Sequence, residues 1–329
     1  MASTRQPAGE FELIARYFER PGAVASRVDL GIGDDCALID GGPQMQWAVT
    51  TDMLVEGVHF LAAVDPEALG HKALAVNLSD LAACGATPRC FFLALALPRP
   101  DEAWLAALTR GMFALADAHA CVLAGGDTTR SPAGVTLSIT ALGDLPRGSA
   151  LLRSGAVPDE DLWVSGVLGD GALGLACRSG EIVLPTATAR AVIERLERPV
   201  PRVALGKRLR GIATSAIDVS DGLAGDLGHI LDRSGVAAKV EWASIPRSDA
   251  LRGFDALVQQ HCVFAGGDDY ELLFTAPRSA ADAVRAAGLA AGVAVSRIGA
   301  IRAGSGLTVV DVDGRAMDRE PRAFDHFRP

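Results

Sequence analysis

Six short segments of this chain set aspartate among glycine, serine or threonine: Gly31-Ile-Gly-Asp-Asp35, Thr50-Thr-Asp52, Asn77-Leu-Ser-Asp80, Gly125-Gly-Asp-Thr-Thr129, Asp218-Val-Ser-Asp-Gly222 and Gly266-Gly-Asp-Asp-Tyr-Glu271. Carboxylates beside small residues suit a close approach of backbone to something highly charged. Hard divalent cations such as Mg2+ take oxygen ligands and share them with substrate phosphates. A site for several metal ions and a polyphosphate is the simplest purpose common to all six. Each segment alone also reads as ordinary turn chemistry. Together, six turns of one chemistry favour function.

Asp80 is the least ordinary of these residues, because aspartate is a poor helix-interior residue and its surroundings read as helix. Asn77, Asp80 and Cys84 share one helical stripe, with apolar Leu78, Leu81 and Ala82 beside it. A buried carboxylate there needs a partner; the alternative is a solvated outer face. Asp127 follows the apolar run 121–124, which places it just beyond a strand's carboxyl end, where α/β proteins bind ligands. Asp218 and Asp221 flank Ser220 between a strand and a helix. That turn offers carboxylates, a hydroxyl and helix N-terminal amides, or a plain N-cap. The loop Gly166-Val-Leu-Gly-Asp-Gly171 reads either as a phosphate cradle or as a tight turn; it lacks the Gly-Lys-Ser/Thr of a P-loop. His59 lies close to Asp52 in sequence, yet no Ser/His/Asp or Cys/His constellation supports a covalent nucleophile.

The elements that must hold these segments follow from periodicity. Residues 9–20 have helical spacing, and residues 46–54 read as a strand ending near Asp52. Residues 66–83 read as a long helix opened by Asp65 and Pro66. Residues 91–97 form a strand stopped by Pro98, 101–119 a helix and 135–142 a strand. Gly, Ser, Pro and mixed charge over 148–161 mark a boundary, giving lobes 1–148 and 149–329. Beyond it, strands at 162–168 and 214–219 alternate with helices such as 223–233. The expected class is α/β or α+β, in two lobes.

Composition narrows the function. The chain has 329 residues, 49% hydrophobic and 5% aromatic, so its core is aliphatic. A net charge of -9 argues against a general nucleic-acid surface or an anionic membrane. Six scattered cysteines form no C-x-x-C pair, which argues against zinc ribbons and fits a reducing compartment. With no signal pattern and no apolar run of membrane length, a cytoplasmic protein is expected.

In their order, these motifs resemble the thiamine-monophosphate kinases, of the superfamily that includes aminoimidazole ribonucleotide synthetase. Gly31-Ile-Gly-Asp-Asp-Cys-Ala37, Lys72-Ala-Leu-Ala-Val-Asn-Leu-Ser-Asp-Leu-Ala-Ala83 and Ile217-Asp-Val-Ser-Asp-Gly-Leu223 carry the likeness, which runs from Gly9 to Phe327. The resemblance implies an N-terminal lobe whose strands build a barrel across a homodimer interface, and an α/β C-terminal lobe. It implies ATP and thiamine monophosphate as substrates. Asp35, Thr50, Thr51, Asp52, Asp80, Asp127, Asp218 and Asp221 are implied as ligands of several Mg2+ ions. Gly126, Asp127, Arg153 and Ser220 are implied as ATP contacts, and His59, Asp268 and Phe324 as contacts to the thiamine phosphate. Two positions depart from the family: Asp268 stands where Glu is frequent, and Phe324 where Tyr or Trp is frequent.

The chemistry fits those residue types. The second pKa of a phosphate monoester is about 6, so the acceptor is already mostly ionised at neutral pH. Direct in-line transfer then needs no general base, only neutralisation and alignment of two polyanions. The rival readings are another ATP-using enzyme of the same superfamily and a non-catalytic nucleotide or thiamine-phosphate binding protein. A selenophosphate synthetase would need a reactive Cys near the N-terminus, whereas the first cysteine is Cys36, inside the metal loop.

Overall fold

The computed structural model describes residues 9–18 and 27–317. The N-terminal part contains α1 (Glu10–Tyr17), β1 (Val28–Leu30), β2 (Ala37–Asp40), β3 (Met45–Val55), α2 (Pro66–Ala83), β4 (Thr87–Leu97), α3 (Glu102–Ala118), β5 (Val122–Arg130) and β6 (Thr136–Pro146). Its sheet has the order β1-β2-β3-β6-β4-β5. All neighbours are antiparallel except β4 and β5. Within the single chain this sheet is open. Its inner face packs on α2, and its outer face exposes Met53 and Phe92.

The C-terminal part contains β7 (Asp161–Ser165), α4 (Asp170–Ser179), α5 (Thr186–Glu197), α6 (Val203–Leu209), β8 (Ser215–Asp218), α7 (Leu223–Ser234), β9 (Ala237–Glu241), α8 (Asp249–Arg252), α9 (Ala256–Phe264), β10 (Leu272–Ala276), α10 (Ala281–Ala291), β11 (Val295–Arg302) and β12 (Gly306–Val310). Its sheet has the order β12-β9-β11-β7-β10-β8, with only the β12–β9 pair parallel. Strand alternation divides this sheet between two cores. Trp163, Ala216, Leu272 and Phe274 join the core around α2, while Leu162, Val164, Ile217 and Leu273 pack on α7 and α9. Among the described residues no helix is long and apolar enough to cross a membrane.

Helix α2 is central. Asp65 caps it by accepting from the Glu67 amide at 3.1 Å, Pro66 opens its first turn, and Gly85, at φ +71°, ends it. Both sides of α2 require glycine in its neighbours or in itself. A Cβ on Gly70 would lie 1.9 Å from the Leu108 carbonyl of α3, and one on Gly206 of α6 would lie 1.9 Å from the Ala82 carbonyl of α2. Backbone-to-backbone packing of this kind fixes α2 against both lobes.

Some boundaries differ from expectation. The strand expected from 91 starts at Thr87, because a bulge between Pro88 and Cys90 accommodates the proline. Asp127 does not lie beyond a strand end. The Gly125-Gly-Asp-Thr-Thr129 segment continues β5 to Arg130, paired in register with Phe92 to Leu97. Asp52 sits within β3 rather than at its end.

Because the Ala82 carbonyl cannot move without α2, Gly206→Ala is expected to destabilise the fold by about 1–3 kcal/mol. Urea unfolding of the two proteins measures this. An unchanged midpoint would mean that α6 shifts freely against α2.

Candidate active site

The segment Asn77-Leu-Ser-Asp80 of α2 ties three polar side chains to two other elements. Asn77 Oδ1 accepts from the Asp52 amide of β3 at 3.3 Å. Ser79 Oγ donates to Asp218 Oδ2 of β8 at 2.6 Å. Asp80 Oδ2 accepts from the Thr50 hydroxyl of β3. Leu78, between them, is fully buried in the core. Strand alternation turns Thr50 and Asp52 toward α2. Carboxylate oxygens of Asp35, Asp80 and Asp218 lie within 4.8 Å of one another. Both lobes therefore deliver carboxylates to one seam.

Arg153 is a cation at this cluster. Its Nε and one terminal nitrogen donate to Asp35 Oδ1 at 3.1 and 2.6 Å, and its amide donates to Asp34 at 3.1 Å. One guanidinium does not offset this many acids. Burial, then the neighbouring Asp35 charge, pushes Asp218 up to about 8. Burial also pushes Asp52 up to about 6, and Asp80 well above the ordinary carboxylate range. Two ionised carboxylates about 5 Å apart repel by about 3 kcal/mol at an effective dielectric of ~20. Asp35 Oδ2 is buried with no hydrogen-bond partner. An orphaned carboxylate oxygen beside two further carboxylates is the donor set of a hard divalent cation. The residues fit Mg2+.

Two loops of the C-terminal lobe lock together beside the cluster. The Tyr270 amide donates to the Val219 carbonyl at 2.8 Å, and the Asp268 amide to the Ser220 carbonyl at 2.9 Å. A Cβ on Gly267 would lie 1.9 Å from that Ser220 carbonyl. Asp268 and Tyr270 sit at φ +69° and +51°, a region non-glycine residues enter only under constraint. Glu271 anchors the loop: it is buried, accepts from the fork of Arg202, and accepts from Ser165 Oγ at 2.5 Å.

Two candidate anion cradles are already filled by the chain itself. Asp269 accepts from the Gly169 and Gly171 amides at 2.6 and 3.1 Å, so the Gly166 to Gly171 loop is a carboxylate-capped turn. Asp226 Oδ2 accepts from the Ser220 and Asp221 amides, each at 3.1 Å. Those amides are thus taken, and the N-cap of α7 is Gly222 rather than Ser220 or Asp221.

A pocket of about 560 Å³, open solvent at its mouth included, lies beside the loop of Asp268. His59, Lys72 and Asp268 line it together with apolar residues such as Leu69, Leu175 and Leu196. His59 Nδ1 accepts from the Val55 amide at 3.0 Å. Tyr270 donates to Asp268 Oδ1 at 3.2 Å.

The expected residues thus fall into groups. Asp35, Thr50, Asp52, Asp80 and Asp218 converge, with Arg153 against them. Asp221 and Ser220 follow one turn on, at the start of the loop that Asp226 organises. His59 and Asp268 share the pocket. Thr51 and Asp127 are on the opposite, uncovered face of the first sheet. Thr51 faces Thr140 at 2.9 Å between hydroxyl oxygens, and Asp127 is exposed opposite Ala94, with Gly126 beside it. Phe324 lies outside the described residues. Lys72, Ser79 and Asp226 escaped the sequence reading. Lys72 and Ser79 lie within the quoted Lys72 to Ala83 motif, and the signal was there: polar residues within an otherwise Ala/Leu helix.

Comparison with known proteins agrees with this geometry. Family profiles for AIR synthase related protein match both parts of the chain, the N-terminal domain over residues 33–145 and the C-terminal domain over 158–312. The thiamine-monophosphate kinase of Salmonella typhimurium is 46% identical over 322 residues, 97% of this chain and 98% of its own. The crystal structure of thiamine-monophosphate kinase from Stenotrophomonas maltophilia K279a is 46% identical, covers 88% of this chain and 92% of its own, and has a TM-score of 0.79. AaThiL complexed with AMPPCP and TMP is 30% identical, covers 97% of both chains, and has a TM-score of 0.82. The chain belongs to the thiamine-monophosphate kinase family.

The raised carboxylates give a stability test. A carboxyl whose folded pKa exceeds its unfolded value stabilises the fold at low pH and loses that contribution as pH rises through the folded value. For Asp52 and Asp218 the loss spans about pH 4 to 8. Metal-free protein is expected to melt lower at pH 8.5 than at pH 5.5. Mg2+ should raise Tm more at pH 8.5, and Asp218→Asn should flatten the dependence. Differential scanning fluorimetry checks this; an equal Mg2+ shift at both pH values would remove the buried carboxylates from metal binding.

Proposed function

We propose that this chain transfers the γ-phosphoryl group of ATP to the phosphate of thiamine monophosphate, giving ADP and thiamine diphosphate. One observation carries the reading: α2 bears Asp80 of the carboxylate cluster and, about two turns earlier, Lys72 of the neighbouring pocket. Asp35, Asp52, Asp80 and Asp218, with the Thr50 hydroxyl, would hold Mg2+ ions, and Asp221 extends the set. Bound there, Mg2+ supplies neutralisation of facing phosphates and of charge on the transferring group.

The chain's own residues do the rest. Arg153 offers a planar fork to phosphate oxygens next to the cluster. Ser220 adds a hydroxyl in the loop adjoining Asp218. His59 and Asp268 orient the acceptor, whose phosphate is already ionised and needs no base. Positioning is then the main contribution of the protein, and holding two reactants in line is worth many orders of magnitude. The lobes 1–148 and 149–329 each supply one wall of the site.

Gly126, Asp127 and Thr51 lie on the open face of the first sheet, away from the cluster of their own chain. We read this face as a homodimer interface, supported by its exposed Met53 and Phe92. A second copy would close the sheet into a barrel and complete the ATP and metal contacts of these residues. Six unpaired thiols support a reducing, cytoplasmic setting.

Purified protein with Mg2+, ATP and thiamine monophosphate is expected to form thiamine diphosphate, followed by chromatography. Asp218→Asn should lower kcat at least about 10²–10³-fold. No diphosphate at saturating substrates would refute the assignment. Light scattering at micromolar concentration is expected to give twice the monomer mass, and a monomer would leave the open face unexplained.

A further inference from the structure

The charges of the pocket are already balanced. Lys72 Nζ lies 2.7 Å from Asp268 Oδ1, and Arg178 Nε lies 2.8 Å from Glu197 Oε1. All four residues line the pocket. A pocket for a simple cation would present an unpaired carboxylate. Two ion pairs instead suit a ligand that carries both signs.

Lys72 is the unusual member. It is 4% exposed, and its neighbours on α2, Leu69, Ala73 and Ala75, are core residues. A buried ion pair contributes little net stability compared with well-packed apolar residues. A leucine at this position of a buried helix would serve the fold as well. The ammonium therefore has another use. Lys72 also lies eight residues before Asp80, about 12 Å along the helix at ~1.5 Å per residue. That places it on the side of the pocket from which a helix leads to the carboxylate cluster.

We propose that Lys72 makes the pocket select a phosphorylated acceptor. Its ammonium leaves Asp268 for the acceptor's phosphate, and Asp268 turns to the acceptor's cationic ring. The idea rests on thiamine monophosphate being the acceptor, as read above. One ion pair is exchanged for two, so neither buried charge is stranded. A ligand with the cationic ring but no phosphate takes Asp268 and leaves the ammonium unpaired, which is costly in a desolvated site. Free thiamine is thus rejected at binding, before any question of its weaker nucleophile arises.

Calorimetric binding of thiamine monophosphate, free thiamine and AMPPCP to wild type, Lys72→Gln and Lys72→Arg is the test. Loss of one charge-assisted contact predicts a rise of about 10–100-fold in Kd for thiamine monophosphate with Lys72→Gln. Free thiamine should bind Lys72→Gln more tightly, by about 10-fold, because no ammonium is left stranded. AMPPCP should be unaffected, and Lys72→Arg should restore most of the affinity for thiamine monophosphate. Equal losses for both thiamine compounds would make Lys72 a mere support for Asp268 and overturn the proposal. So would an unchanged Kd for thiamine monophosphate, or a wild type that binds both alike. If Lys72→Gln fails to bind AMPPCP, the charge-neutral double variant Lys72→Gln/Asp268→Asn decides the same ratio. Loss of discrimination there supports the proposal and its retention overturns it. Wild type that binds AMPPCP but not thiamine monophosphate would refute the function itself, a distinct outcome.

Discussion

Negative charge held out of water at the seam between the lobes governs this structure. Asp35, Asp80 and Asp218 come from a loop, a helix and a strand, and Arg153 pairs with Asp35 among them. Other acids withdrawn from water among the described residues are satisfied internally. Asp226 and Asp269 each accept two backbone amides, and Glu271 accepts an arginine fork. Those acids shape loops. The seam acids, with an oxygen of Asp35 left without a partner, are built for something the chain does not contain. The difference between a structural and a functional aspartate is here a difference in who occupies its lone pairs.

Such a cluster stays closed only if its supports cannot relax. Helix α2 provides that rigidity. Its Asn77, Ser79 and Asp80 bond to β3 and β8, while Gly70 and Gly206 bring the backbones of α3 and α6 against it. Opening the cluster would require moving α2 relative to both sheets at once. Its repulsion is therefore met by holding protons or by binding a cation rather than by reorganising the fold.

Much of this was legible in the sequence because it is local. The bounds of α2 follow from Asp65, Pro66 and the glycine after Cys84, and the aspartate motifs announce their chemistry by composition. What was hidden depends on pairing across the fold. Gly125-Gly-Asp-Thr-Thr129 lacks the apolar alternation of a strand, since its outer face is uncovered in a single chain; only register with β4 makes it one. Thr51 and Asp52 are adjacent in sequence but face opposite sides of β3, so one motif serves two surfaces. Asp226 stands in the first turn of α7 with nothing in its neighbours to single it out, and only the folded turn brings the Ser220 and Asp221 amides to it.

The pocket and the cluster are parts of one mechanical unit. The loop carrying Asp268 and the turn following Asp218 are zipped by three backbone hydrogen bonds of 2.8–2.9 Å, from the Asp268, Tyr270 and Val219 amides. Two left-handed residues in that loop hold about 1–3 kcal/mol of strain each, which the zipper and the Glu271 anchor must maintain. Asp268 cannot move far without pulling on Ser220, and Ser220 directly precedes Asp221. Asp218 and Asp268 are thus joined by a short, hydrogen-bonded backbone path. On the proposed reading, an acceptor drawing Asp268 away from Lys72 would also load the turn beside the carboxylate cluster, the place where the phosphoryl group has to be aligned.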